Sequence, residues 1–135
     1  MVERATMPGD IEVREYHMII TTHRTIFAPI SADVDVEEEA LARNPRSIVI
    51  PHSALKRLKF KNEFLGCYFL IDYVREDGRR KKVEGVFQPL QRQVRQGRRT
   101  GRRWRDMVAE YARPVQSALQ RTLSPDVVAR SQWDL

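Results

Sequence analysis

The sequence predicts a mainly β fold with α structure (α+β): a bent antiparallel sheet or partly open β-barrel of about six or seven strands, closed by a C-terminal amphipathic helix. Three observations carry this expectation. Apolar and polar residues alternate in several short runs before residue 88. An Asp77-Gly78 pair separates two of those runs, and Asp-Gly is a strong hairpin signal. After Pro89 the apolar period lengthens from two to about three and a half, the spacing of a helix face.

In chain order, Tyr16, Met18 and Ile20 alternate with His17, Ile19 and Thr21, and residues 25–28 resume the pattern after Thr22-His23-Arg24 until Pro29 stops it. This reads as a tight hairpin. An acidic insertion at residues 31–44 then interrupts the sheet, with the propensity for a short surface helix over 36–43. Ser47-Ile48-Val49-Ile50 is rich in β-branched residues and ends at Pro51, so it is a further strand. Over residues 57–61 alternation is strict: Leu58 and Phe60 point one way, while Arg57, Lys59 and Lys61 form a basic stripe on the other face. Residues 67–74 and 81–87 flank Glu76-Asp77-Gly78 as the two arms of a hairpin.

Trp104, Met107, Val108, Tyr111, Val115, Ala118, Leu119 and Thr122 fall along one helical stripe. Pro114 lies inside it, and because the stripe keeps its phase there the sequence predicts a kink near residues 112–113. Ser124-Pro125-Asp126 restarts the chain with an N-cap and a proline at the first helical position. The organisation is therefore one domain, residues 1–123, followed by a short tail, 124–135, whose docking the sequence leaves open.

Lys and Arg number 24 against 18 Asp and Glu, a net charge of +6 that points to an anionic partner or to solubility. A single cysteine, Cys67, excludes an internal disulfide framework and suits a reducing compartment. No apolar run reaches the ~18 residues of a membrane-spanning helix, and Met1-Val2-Glu3-Arg4 lacks a signal-peptide core. The expectation is a cytoplasmic domain. His17, His23 and His52 lack the spacing of a zinc site, so neither metal nor cofactor is expected. Cys67 with His52, or Ser53 beside His52, could be drawn as a nucleophile with its base, but no catalytic signature surrounds either pair. The chain reads as no enzyme.

Charge is unevenly spread. Asp33, Asp35, Glu37, Glu38 and Glu39 give residues 33–39 a local charge of −5. Across residues 75–105, twelve bases against three acids leave +9, most of it arginine. Arginine's planar fork suits phosphate and carboxylate. With the expected helix beginning near Thr100, Arg102, Arg103 and Arg105 also sit at its positive end, where each costs roughly 0.3–1 kcal/mol that a bound anion would offset. The candidate anion and partner surface is thus Arg98, Arg99, Arg102 and Arg103, assisted by Arg57, Lys59 and Lys61. The same arginines could instead be solvated, or paired with Asp106, Glu110 and the acidic insertion. The expected partner is an anionic macromolecule: an acidic protein, an anionic membrane surface or, as the alternative, a nucleic acid. A homo-oligomer is left open.

Two segments carry a family resemblance. Thr21-Thr22-His23-Arg24-Thr25-Ile26-Phe27 resembles the strand-turn-strand of GRAM-type domains, where Thr-x-x-Arg-x-x-Phe recurs, and Ser47 through Leu55 is similar to their Ile-Pro-x-Ser-x-Ile/Leu segment. Residues 87–108, with Trp104, look like the closing strand and tryptophan-bearing helix of pleckstrin-homology domains. Over roughly residues 16–123 the chain therefore resembles the pleckstrin-homology-like group, including its GRAM and bacterial members. The resemblance implies a partly open barrel that binds or scaffolds and has no catalytic residues. Members that bind phosphoinositides resemble one another in a basic cluster spanning the first two strands, where residues 16–27 offer Arg24 as the sole lysine or arginine.

Overall fold

The computed structural model describes residues 2–7, 10–63, 66–87, 101 and 103–135, and for residues 2–7, 10–14, 63, 104 and 105 the backbone alone. Alternating sequence becomes antiparallel pairing. Strand β1 (Val2–Met7) runs against β2 (Asp10–Ile20) from Val2↔Glu15 to Met7↔Asp10. The second half of β2 pairs with β3 (Arg24–Pro29), and β3 with β4 (Ile48–Pro51). A 3-10 turn, His52–Ala54, leads into β5 (Leu55–Glu63), which pairs with β6 (Gly66–Val74), and β6 with β7 (Arg80–Val86). Strand β7 returns to β1 through Val2↔Val86 and Glu3↔Gly85. The order is β4-β3-β2-β1-β7-β6-β5-β8, where β8 (Gln132–Asp134) adds a parallel edge to β5.

This mixed α+β structure comprises two sheets that meet in the 11-residue β2, and among the described residues its ends do not pair to close a barrel. A further hairpin, β1–β2, precedes the strands that the alternation predicts, and Pro8-Gly9 between Thr6 and Ile11 is a turn signal in the sequence. The hairpin expected over residues 16–28 is β2–β3.

Bending brings the two sheets onto one core. Phe27 on β3 stacks on Phe69 of β6 at 5.9 Å, although three strands separate them in the sheet order. The rings continue as a chain: Tyr16 meets Phe27 edge-on, Phe69 meets Phe87, Phe87 stacks on Phe60, and Phe60 on Trp133 at 5.4 Å. Such pairs contribute about 0.5–1.5 kcal/mol each beyond area burial. Helix α2 (Trp104–Thr122) closes this core with Met107, Val108, Ala109, Ala112 and Leu119 buried. The buried stripe is rotated from the expected one: Ala109 and Ala112 are inside, whereas Tyr111 is 38% exposed and touches Phe87 edge-on. The helix is continuous through the exposed Pro114, with no break at residues 112–113. Trp104 opens it, and its side chain lies outside the described residues.

The acidic insertion ends in helix α1 (Glu38–Arg43), which covers the outer face of β3: Leu41 packs with Ile26 and Ala28 in a second small cluster. Both faces of β3 are therefore buried. At the hairpin between β6 and β7, Gly78 has φ 82°, a conformation that favours glycine, and Asp77 Oδ1 accepts from the Arg79 N–H. The tail docks. Helix α3 (Pro125–Arg130) buries Val127, and Ser131 Oγ accepts from the Leu58 N–H at 2.9 Å while donating to the Val127 carbonyl. The Trp133 indole N–H donates to the Val128 carbonyl.

Candidate functional site

The basic stripe stands as the alternation requires. Leu58 and Phe60 are fully buried, Arg57 and Lys61 are exposed and Lys59 is half-buried on the opposite, outer face of β5. Registers extend this face across the sheet: Arg57 lies opposite Asp72 and Asp72 opposite Lys82, while Val74 faces Arg80. Like charges and their counter-charge thus alternate across one row.

A register shift between Leu55 and Arg57 changes the corner of this face. Leu55 and Leu58 are both buried although three residues apart, so strict alternation cannot hold between them. The β-bulge absorbs the odd residue and lets Lys56 and Arg57 line the same concavity. That concavity, of about 320 Å³, is lined by Lys56, Arg57, Asp72, Arg80 and Arg130. Among the described residues its four cations make no ion pair. Asp72 Oδ1 is shielded from water and has no hydrogen-bond partner there. Sequence reasoning missed Lys56, Arg80 and Arg130. Arg80 stood in the basic count without a place, and Arg130 needs the docked tail.

Of the arginine cluster, Arg98, Arg99 and Arg102 lie outside the described residues. Arg103 is exposed just before α2 and lines a different concavity, shared with Gly101, Asp106, Glu110 and Arg113. The described part of the cluster is thus set among acids, apart from the corner that Arg57 lines.

Arg24 is held by the acidic helix: its Nε donates to Glu38 Oε1 at 2.7 Å and its Nη2 to Glu39 Oε1 at 2.8 Å. These bonds lower the Glu38 pKa below its usual 4.5 and raise that of Arg24. Arg24 is accordingly a structural cation tying α1 to β3. His52 Nε2 lies 2.9 Å from the Thr25 hydroxyl, and burial pushes its pKa below the usual 6.5. Cys67 is fully buried, its thiol directed to Asn62 Oδ1, and Ser53 is exposed in a cleft of about 1020 Å³ between β4 and the β6–β7 hairpin. Among the described residues no three His, Cys, Asp or Glu side chains converge as a metal would need, and no helix is long and apolar enough to cross a membrane.

No family model, curated protein or solved structure matches this chain.

Proposed function

We propose that this protein is a non-enzymatic binding or scaffolding module of pleckstrin-homology-like build, which recognises an anionic partner, an acidic protein or an anionic membrane surface, through the outer face of β5–β6–β7. The observation that carries the reading is the collection of Lys56, Arg57, Lys59, Arg80, Lys82 and Arg130 on that side of the molecule against Asp72 and Glu84. The architecture supports it: seven antiparallel strands joined through β1, a 19-residue helix against the shared core, and the Thr21–Phe27 hairpin that resembles GRAM-type domains. The site differs from the one that the family's phosphoinositide-binding members use, since Arg24 is already bound by Glu38 and Glu39.

Retention on heparin, followed by salt-dependent binding to anionic vesicles, acidic polypeptides and oligonucleotides, tests this. The Arg57→Gln, Lys59→Gln, Lys61→Gln triple variant is expected to elute from heparin at lower salt than the parent chain, with unfolding unchanged, because exposed charges contribute little to stability. Oligonucleotide binding stronger than either other class, with a salt slope that falls by about 0.9 for each cation removed, would replace this partner with nucleic acid. Identical elution of parent and variant would discard the face.

A further inference from the structure

We propose that the corner between the β5 bulge, β6, β7 and the end of α3 is a seat for a dianionic phosphate group, a phosphomonoester or a pyrophosphate, gripped by Arg57, Arg80, Arg130 and Lys56. The inference rests on reading this face as anion-recognising and names the chemistry that its corner selects.

Four cations from three elements, β5, β7 and α3, meet here, and two features of the fold bring them together. The bulge turns Lys56 to the side of Arg57. The tail carries Arg130 across: Ser131 clamps the end of α3 to β5 through Leu58 N–H, and Trp133 stacks on Phe60 two residues further. Arg130 is thereby fixed beside a strand 73 positions earlier in the chain at Arg57.

The donor set distinguishes phosphate from carboxylate. Three guanidinium forks and one ammonium offer more N–H groups than the roughly four lone-pair positions of a carboxylate accept, whereas a terminal phosphate presents three oxygens in tetrahedral array. Four cations against Asp72 leave a local charge of +3, which a dianion offsets better than a monoanion. A volume of about 320 Å³ admits a phosphate and the few atoms bearing it. Asp72 works against the seat: its carboxylate opposes any anion, and among the described residues its solvent-shielded Oδ1 meets no donor.

The test is calorimetric titration of the full chain with inorganic pyrophosphate and, separately, citrate, at low ionic strength. Arg80→Gln and Arg130→Gln are each expected to raise the pyrophosphate Kd roughly tenfold, as loss of a charge-assisted hydrogen bond does. Asp72→Asn, nearly isosteric, is expected to lower it severalfold. Arg121→Gln, exposed on α2, is the control and leaves it unchanged. Opposite signs from neighbouring residues separate a built seat from general attraction to a basic protein. A 5′-phosphorylated oligonucleotide that binds more tightly than its unphosphorylated form places the phosphate on a larger molecule, and equal binding of the two with pyrophosphate still held assigns the seat to a free phosphate. Citrate bound as tightly as pyrophosphate, or Arg80→Gln and Arg130→Gln no different from the control, overturns the seat. If heparin retention still falls in the stripe variants while pyrophosphate fails, the seat is lost and the wider anion face stands.

Discussion

Two corners of this molecule use the same side-chain chemistry to opposite ends. At the β3–α1 corner, Arg24 is only 15% exposed and meets Glu38 and Glu39 within 2.8 Å, so a cation joins an insertion to the sheet. At the β5–β7 corner, Lys56, Arg57, Arg80 and Arg130 surround one carboxylate, and among the described residues none forms an ion pair. Basic residues are therefore informative by their partners rather than by their number. A neutralised arginine is spent on the fold. Repulsion among four poorly neutralised cations is a standing cost that an outside anion relieves.

Both corners depend on one aromatic core, so the largest effect comes from removing its centre. Phe69 is fully buried between Phe27 and Phe87, and Phe69→Ala is expected to lower stability by about 3–5 kcal/mol in chemical denaturation. Destabilisation much below about 1 kcal/mol would mean that the two sheets do not share a core.

A change at Trp133 sharpens the contrast, since only the β5–β7 corner relies on the tail. Trp133→Ala removes the stack on Phe60 and the bond to the Val128 carbonyl, and is expected to cost about 2–3 kcal/mol and to reduce heparin retention together. The Arg24–Glu38 pair should persist in that variant, so the acid limb of its stability curve should match the parent's.

Exchanging the two kinds of arginine gives the crossed result. Arg24→Gln is expected to lower the melting temperature modestly and leave heparin retention nearly in place. Arg80→Gln should reduce retention and leave melting nearly unchanged. Equal effects of the two variants on both measurements would erase the distinction between the corners.

The smallest effects are read from pH. Hydrogen bonding to Arg24 depresses the folded pKa of Glu38, so its contribution is present above pH 4.5 and is lost as pH falls through the depressed value. Burial depresses that of His52 against a smaller opposing hydrogen bond that its ring donates to the Thr22 backbone, and the unfolded chain then binds the proton more readily. The contribution of neutral, buried His52 is full above pH 6.5 and falls as pH drops below it. Melting followed from pH 8 to pH 3 should show both losses, and Arg24→Gln should flatten the lower one alone.

Much of the fold was legible because it is written in neighbouring residues. Leu58 and Phe60 against Arg57, Lys59 and Lys61 specify a two-faced strand, and Asp77-Gly78 specifies the β6–β7 turn, where Gly78 adopts its positive φ. The stripe from Met107 to Leu119 specifies a helix with one buried side, and its phase erred by about one residue because Ala109 and Ala112 are too small to mark a face by hydrophobicity. The β1–β2 hairpin is not legible in this way, because charged residues such as Glu3, Arg4, Glu12 and Arg14 dilute its alternation.

Alternation, turns, helix periodicity and the basic stripe facing away from the core all follow from residues close together in the chain. Which charges meet follows only from the folded arrangement. Pairing Arg24 with Glu38 and Glu39 needs α1 folded back on β3, and placing Arg130 beside Arg57 needs the tail laid parallel to β5. The two kinds of information differ in range. Backbone propensity and side-chain alternation act over a few residues, whereas Coulomb interaction depends on distance in space, which only the closed chain sets.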